Sequence, residues 1–202
     1  HCCIMKIKTV TVLGANGTMG TNVSAIFASF GNAKVYMVSR DLEKSKAAAV
    51  RAGKSVKADS IVGNLIPADY GMLAQCVSES DLVFESAAEN LDIKIDLHTK
   101  VGQNLKKGAI ACTGSSGLSI TRLAECYPEE VRSQFYGVHV FNPPYQMPLC
   151  ELTASKYSDM ELYQELKDYL SETLHRCVAE SKDLPAFLGN RIGFYVINEA
   201  LI

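Results

Sequence analysis

The sequence predicts an α/β fold in which helices cover both faces of a doubly wound, mainly parallel sheet. The first observation is that short apolar segments and amphipathic segments alternate from residue 8 to residue 139. The second is a glycine-rich loop between the first predicted strand and the first predicted helix. The third is that the segments between successive strands are long enough for crossovers, which return each strand parallel to the one before.

Strands are predicted where apolar runs end at residues that favour turns. Within the alternating region they cover residues 8–13, 34–38, 60–62, 81–85, 109–112 and 135–139. A second apolar run, around Glu151, follows the sixth strand after a short loop, so these two runs are predicted to pair as neighbouring strands joined by a turn. Residues 176–178 are a further candidate strand.

Helices are predicted where apolar residues recur every three or four positions. The first covers residues 18–30 and is stopped by Gly31 and Asn32. Asp41 is a typical N-cap for the second, which Gly53 is expected to stop after residue 52. The remaining helices are predicted at residues 70–77, 91–105, 120–126 and 159–174.

The pattern indicates a second domain near the end of the chain. The alternation of strands and helices is interrupted at Asp183-Leu184-Pro185. Another helix is predicted to start at Gly189-Asn190-Arg191 and to continue to Ile202. We therefore expect a dinucleotide-type sheet domain over residues 1–183 and the start of a truncated helical C-terminal domain over residues 184–202. The chain begins with His1 rather than Met, which we interpret as truncation at that end too.

The composition is that of an ordinary soluble globular protein, with 202 residues, 48% hydrophobic, 21% charged and a net charge of −2. This charge gives no electrostatic case for nucleic acid or an anionic membrane. No apolar run approaches the roughly 20 residues that span a bilayer. The seven cysteines are odd in number and lack metal-ligand spacing, so we expect reduced thiols, no metal site and a cytoplasmic location.

The glycine loop runs from Gly14 to Gly20 with the spacing Gly-x-x-Gly-x-x-Gly. Glycines allow a tight turn and a close approach to a pyrophosphate, whose charge lies at a helix N-terminus. Because strand, loop, helix and second strand follow in order, the loop predicts a Rossmann-type dinucleotide site. Contacts to the cofactor are expected from Gly14, Asn16, Gly17, Thr18 and Met19.

The second strand ends in Ser39-Arg40 rather than in an acidic residue. An Asp or Glu there would bind the adenine ribose hydroxyls of NAD, whereas a small residue followed by Arg suits the 2′-phosphate of NADP. The alternative for Arg40 is a solvated side chain at the start of a surface helix, and Asp41 is better explained as the cap of that helix. The expected cofactor is NAD, with NADP possible.

The segment from Gly137 to Glu151 carries the candidate chemistry. His139 ends one apolar run just before Pro143-Pro144, and Glu151 lies in the next run. Two strands joined by a turn can bring this carboxylate against the imidazole, and a His held in this way is a general base that works near neutral pH. The alternative is a hairpin with a satisfied core histidine and a surface glutamate.

These motifs together resemble the NAD-binding domain of the L-3-hydroxyacyl-CoA dehydrogenases, and the 3-hydroxybutyryl-CoA enzymes in particular. The resemblance covers nearly the whole chain. It rests on four motifs in the family's order, which are ESAAENL at 85–91, SSGLSI at 115–120, the segment 137–151 and PAFLGNR at 185–191.

The resemblance implies a role for each matching residue. His139 would accept the proton of the substrate 3-hydroxyl as hydride leaves C3, and Glu151 would orient its imidazole. Ser115 and Asn190 would hold the substrate oxygen. Further cofactor contacts would come from Ala87, Glu89, Lys94 and Asn142. For Lys94 the alternative is a solvated side chain on an exposed helix.

The implied reaction is the reversible oxidation of an L-3-hydroxyacyl-CoA to the 3-ketoacyl-CoA, a step of fatty acid β-oxidation, by a homodimer formed through the C-terminal domain. The family often places a helical hairpin within residues 41–81 to help hold coenzyme A, and here the hairpin is predicted to be shortened or absent. A free 3-hydroxy acid or sugar acid, with NADP as cofactor, is therefore the alternative substrate class. A non-catalytic dinucleotide-binding protein is a third hypothesis, which the joint presence of the four candidate catalytic residues argues against.

Overall fold

The computed structural model describes residues 5–56, 59–141 and 146–183. In these ranges eight strands form one sheet in the order β3-β2-β1-β4-β5-β6-β7-β8. The strands are β1 (Thr9–Leu13), β2 (Lys34–Ser39), β3 (Leu65–Asp69), β4 (Leu82–Glu85), β5 (Ile110–Thr113), β6 (Phe135–Val140), β7 (Leu149–Ala154) and β8 (Cys177–Ser181). Every neighbouring pair is parallel except β6 and β7, which are antiparallel. The predicted doubly wound, mainly parallel sheet is confirmed.

Helices pack on both faces of the sheet. Within the described ranges they are α1 (Thr18–Ser29), α2 (Leu42–Ser55), α3 (Leu73–Glu79), α4 (Leu91–Asn104), α5 (Ile120–Ala124) and α6 (Met160–Asp168). Buried residues of α1, α2 and α6 form one core cluster, and those of α3, α4 and α5 form the other. Successive residues of a strand point to opposite faces of the sheet and so pack into different clusters, as Phe84 and Val83 of β4 do. No helix in these ranges is both long and apolar enough to cross a membrane.

The two ends of α2 differ in how well they match the predicted signals. Asp41 is the N-cap, as predicted, since its carboxylate accepts from the Glu43 amide at 2.8 Å. Gly53 does not stop the helix, which continues to Ser55. A Cβ at Gly53 would lie 2.9 Å from a methyl carbon of Val62. This glycine therefore serves close packing rather than helix termination.

The predicted strand at residues 60–62 is wrong. Those residues belong to a 3₁₀ helix, Asp59–Asn64, and the strand that follows, β3, contains Pro67. Proline lacks an amide hydrogen and is tolerated only at sheet edges. β3 is such an edge strand, since β2 is its one partner in the sheet as described. Its proline is the reason that the sequence pattern did not predict a strand there.

The helix predicted at 159–174 lies where it was expected. It consists of α6 followed by a π-helical turn, Tyr169–Thr173, and His175, whose φ is +56°, follows the C-cap Leu174. The strand predicted at 176–178 extends to Ser181 as β8. The C-terminal domain predicted over residues 184–202 lies outside the described residues and stays a prediction.

The register brings the carboxyl ends of the central strands to one edge of the sheet. Leu13 pairs with Glu85, Glu85 with Thr113, and Thr113 with Gly137. The strand order reverses between β1 and β4, and ligands of doubly wound sheets bind at this edge beside the reversal. His139 follows two residues after Gly137 and so emerges at the same edge.

Core packing can be tested at Phe84, which is 2% exposed and makes an edge contact with Phe27. We expect Phe84→Ala to lower the free energy of unfolding by about 3–5 kcal/mol, because it leaves a cavity between β4 and α1. Urea denaturation measures the change. Phe30→Ala is the matched control, because Phe30 is 44% exposed and should lose much less. Equal losses in the two variants would contradict this packing.

Candidate active site

Sterics require glycine at two positions of the glycine loop. Gly14 has a φ of +73°, and a Cβ there would lie 2.5 Å from the carbonyl oxygen of Ser86. A Cβ at Gly20 would clash with the carbonyl oxygen of Gly14. These glycines let β1, the loop after β4 and α1 approach closely. Gly17 differs, since a Cβ there would meet only the Gly14 oxygen, at 3.5 Å, and its backbone is open to a ligand.

A cleft of about 710 Å³ opens on this loop. Among its lining residues are five of those predicted to bind the cofactor, namely Gly14, Asn16, Gly17, Arg40 and Ala87. A hollow of about 380 Å³ adjoins it through Gly17 and Ala87 and reaches His139. It is also lined by Thr18, Met19, Glu89 and Lys94. One elongated groove therefore runs from the end of β2 to the end of β6.

The groove fits an extended dinucleotide. Gly17 is the N-cap of α1 and has no side chain that could accept from the first amides of the helix. These amide hydrogens are therefore left for an anion. The pyrophosphate of NAD would be held there, with the adenosine toward Arg40 and the nicotinamide toward His139. Ser39 does not line the groove: its buried hydroxyl contacts the Ser45 hydroxyl at 2.6 Å and the Asp41 carbonyl at 2.9 Å.

His139 and Glu151 are direct partners in the antiparallel ladder between β6 and β7. Nδ1 of His139 lies 3.8 Å from Oε2 of Glu151, and the two side chains are 27% and 13% exposed. This is an ion-pair distance rather than a hydrogen bond. Nδ1 of His139 and Oε1 of Glu151 are buried and have no hydrogen-bond partner among the described residues. The ladder therefore faces the two groups toward each other and leaves both ready for a further contact.

Ser115 lies close to this pair. It lines a small hollow together with His139 and Glu151. Its hydroxyl donates to Oε2 of Glu89 at 3.0 Å, and its side chain is nearly buried. The adjoining helix α5 is capped by Ser119 and by Asp183, whose carboxylate accepts from the amides of α5. The Ser115 hydroxyl thus lies at the site, and it also accepts a long hydrogen bond from the Gly117 amide, at 3.4 Å, in the turn that follows.

Lys94 is buried rather than solvated, with an exposed fraction of 1%. Its ammonium group lies 2.6 Å from Oε2 of Glu85 and 3.5 Å from Oε1 of Glu89. It also donates to the carbonyl of Ala87 at 3.3 Å. Lys94 therefore links the Glu89 that holds Ser115 to a fully buried carboxylate at the end of β4.

Glu85 is the centre of a buried polar network that the sequence did not reveal. Besides Lys94 it contacts Nε2 of His98 at 2.9 Å, the Thr113 hydroxyl at 2.8 Å and the Ala87 amide at 2.7 Å. Burial opposes ionisation of Glu85, but the hydrogen bonds and charges of His98 and Lys94 outweigh it and lower its pKa to about 2. Nδ1 of His98 in turn contacts the buried Tyr127 hydroxyl at 2.7 Å.

One signal could have identified part of this network. An acidic residue closes the otherwise apolar strand Leu82–Glu85, and a buried acid at a strand end calls for partners. The side-chain partners come from the following helix α4 and from β5 and carry no local mark. Two predicted site residues, Asn142 and Asn190, lie outside the described residues. Among the residues that are described, no three His, Cys, Asp or Glu side chains are grouped to hold a metal ion.

Comparison with known proteins assigns the family. A family model described as the NAD-binding domain of 3-hydroxyacyl-CoA dehydrogenase matches residues 9–184, from β1 to just beyond β8. The chain belongs to the 3-hydroxyacyl-CoA dehydrogenase family. The resemblance seen in the sequence motifs is thereby confirmed, and the predicted dinucleotide site lies in a domain that the family model describes as NAD-binding.

Two relatives and one solved structure show the range of the family. A probable 3-hydroxyacyl-CoA dehydrogenase of Deinococcus radiodurans is 34% identical, over 98% of this chain and 60% of its own length. A 5-formyl-3-hydroxy-2-methylpyridine 4-carboxylate 5-dehydrogenase of Mesorhizobium japonicum is 28% identical, over 96% and 64%. The (S)-3-hydroxybutyryl-CoA dehydrogenase of Ralstonia eutropha superposes with a TM-score of 0.80 at 26% identity, over 96% of this chain and 70% of that one. The chain thus spans less than two thirds of either relative.

The buried network makes a prediction about pH. Because the pKa of Glu85 is lowered from 4.5 to about 2 in the folded state, the unfolded chain binds this proton first as pH falls. The stabilisation, on the order of 3 kcal/mol, is present above pH 4.5 and lost between there and pH 2. Urea denaturation across this window should show a shallower pH dependence for Glu85→Gln than for the wild type.

Glu43→Gln is the matched control, since Glu43 is 77% exposed and pairs with the exposed Lys46. Its pH dependence should stay close to that of the wild type. At neutral pH, Glu85→Gln should also be less stable by about 3 kcal/mol, because Lys94 loses its buried counter-charge. A Glu85→Gln profile parallel to the wild type would contradict the ionised network.

Proposed function

We propose that the protein containing this chain is an NAD(P)-dependent oxidoreductase that interconverts L-3-hydroxyacyl-CoA and 3-ketoacyl-CoA. The observation that carries the proposal is the position of His139. It lies at the far end of the groove that starts at the glycine loop, faces Glu151, and shares a hollow with Ser115. A base, its carboxylate and a hydroxyl thus surround the place where the end of a dinucleotide would meet a substrate.

His139 serves as the general base. Its Nδ1 faces Glu151, which leaves Nε2 to accept the proton of the substrate 3-hydroxyl. The nicotinamide supplies the acceptor for the hydride that leaves C3. Loss of the proton and of the hydride converts the C3 alcohol to a ketone, and the reverse reaction returns both. His139 then donates its proton to the carbonyl oxygen.

Glu151 stabilises the imidazolium that this transfer creates. At 3.8 Å, a carboxylate stabilises an imidazolium by about 4 kcal/mol when the effective dielectric constant is about 20. Its oxygen Oε1 has no other partner among the described residues, so Glu151 can move the short distance needed to accept from Nδ1. The carboxylate of Glu151 would then orient the imidazole of His139, as an acid does for the histidine base of a catalytic triad.

Ser115 holds the reacting oxygen. In the structure its hydroxyl donates to Glu89, which Lys94 also contacts. Rotation about the Cβ–Oγ bond would redirect this donor to the substrate carbonyl oxygen. The charge of Lys94 keeps Glu89 in place when that happens. Asn190, the second predicted partner of the oxygen, remains a prediction.

A second substrate class is a free hydroxy acid. The described residues between β2 and β3 form α2 and one 3₁₀ helix, without the helical hairpin that the family resemblance associates with coenzyme A. This favours substrates that do not need that hairpin, such as free hydroxy acids, sugar acids or a formylpyridine carboxylate like the one named for the Mesorhizobium relative. The acyl-CoA remains the first proposal because the Deinococcus and Ralstonia relatives carry names of acyl-CoA enzymes. The homodimer and the cytoplasmic location stay predictions.

Turnover assays with the full-length protein test the reaction. Acetoacetyl-CoA and a panel of free keto acids are each mixed with reduced cofactor, and loss of its absorbance is followed. We expect turnover with acetoacetyl-CoA, and a fall of about 10³-fold in His139→Ala, because a general base contributes about 10²–10⁴-fold.

His175→Asn is the matched control. His175 lies outside the groove, and Asn tolerates its positive φ. It should keep wild-type turnover. Reduction of keto acids but not of acetoacetyl-CoA would favour the second substrate class. Cofactor binding without turnover on any substrate, or full activity in His139→Ala, would contradict the proposal.

A further inference from the structure

The adenosine end of the groove lacks the carboxylate that recognises the ribose of NAD. β2 ends at Ser39, whose hydroxyl is already bonded to Ser45 and to the backbone of Asp41. Oδ1 of the nearby Asp41 accepts from the amides of Glu43 and Lys44 and caps α2. Ser39 therefore cannot accept hydrogen bonds from the two ribose hydroxyls without breaking a local contact, and Asp41, whose Oδ2 takes no part in the cap, does not line the groove.

Basic side chains occupy this end of the groove instead. Arg40 and Lys44 both line it, and neither makes an ion pair with any other described residue. Arg51, on the same helix α2 as Lys44, donates to the carbonyl of Asn16 in the glycine loop at 3.1 Å. The guanidinium of Arg40 also acts on Tyr70 in the groove, where burial raises the pKa of the phenol and Arg40 opposes the rise. The charge of Arg40 thus faces the groove.

The acidic residues nearby do not cancel this charge. Glu43 pairs with Lys46 outside the groove, and Asp96 pairs with Lys100 on the opposite wall at 2.9 Å. Asp92 belongs to the first turn of α4, where it faces the positive end of that helix. The wall formed by the end of β2 and the start of α2 is therefore basic and carries no free acid among its described lining residues.

We infer that this groove prefers the 2′-phosphorylated cofactor NADP(H) to NAD(H), with Arg40 and Lys44 as the residues that bind the phosphate. A guanidinium just after β2 and an ammonium in the first turn of α2 form charge-assisted contacts with a phosphate dianion, whereas two neutral hydroxyls offer them no opposite charge. The inference rests on the proposed function and deepens it, because it names which nicotinamide cofactor carries the hydride in an NAD-binding family.

Isothermal titration of the full-length protein with NADP⁺ and NAD⁺, in the absence of substrate, tests the preference. We expect NADP⁺ to bind about tenfold more tightly or better, because charge-assisted contacts to the phosphate are lost with NAD⁺. Arg40→Ala should weaken NADP⁺ binding about tenfold and change NAD⁺ binding by less than about twofold. Arg40→Asp, also at an exposed position, should weaken NADP⁺ binding further by repulsion.

Lys46→Ala is the matched control, because it removes one positive charge on α2, close to Arg40 in the chain but outside the groove. It should leave both affinities unchanged. NAD⁺ binding as tight as NADP⁺ binding, or an equal loss of both in Arg40→Ala, would overturn the inference alone. Failure to bind either dinucleotide would overturn it together with the proposed function. Tighter NADP⁺ binding without turnover on any substrate would support the inference and contradict only the proposed function.

Discussion

A buried carboxylate at the point where the strand order reverses holds the candidate site together. Glu85 ends β4 and contacts Lys94 and His98 of α4, Thr113 of β5 and the amide of Ala87. An ionised carboxylate without such partners is strongly destabilised in a protein interior, so these contacts must form together. They fix the loop after β4, and Gly14 packs directly against that loop. The shape of the groove follows from this one charge and its partners.

The register of the sheet determines where the candidate catalytic residues lie on that framework. The parallel pairs carry Glu85, Thr113 and Gly137 to one edge, and the single described antiparallel ladder sets His139 opposite Glu151. Residues directly opposite in a ladder present their side chains on the same face of the sheet. A slip of one residue would turn Glu151 to the other face, so the position of the base and its acid is specified by the core packing of β6 and β7.

Much of this arrangement could be predicted because its signals are local. The glycine loop, the cap at Asp41 and the alternation of strands and helices depend on neighbours in the chain. β3 was misplaced because Pro67 suppresses a strand pattern and only its edge position makes it tolerable. The burial of Lys94 has no local signal, because its partner Glu85 lies on the adjoining strand and His98 contacts Tyr127, which is twenty-nine residues away. Buried polar networks form only when the tertiary structure brings their members together. From the sequence alone, only the acidic residue at the end of the apolar strand could be identified.

The central claim is that His139 and Glu151 act as one proton-transfer unit. A double-mutant cycle on the single-turnover rate of hydride transfer tests it most directly, with the wild type, His139→Ala, Glu151→Gln and the double variant compared at saturating cofactor. If Glu151 acts through His139, Glu151→Gln lowers the rate about 10²-fold in the wild type and changes it little in His139→Ala. Two losses that multiply in the double variant, or a Glu151→Gln rate equal to the wild type, would contradict the account.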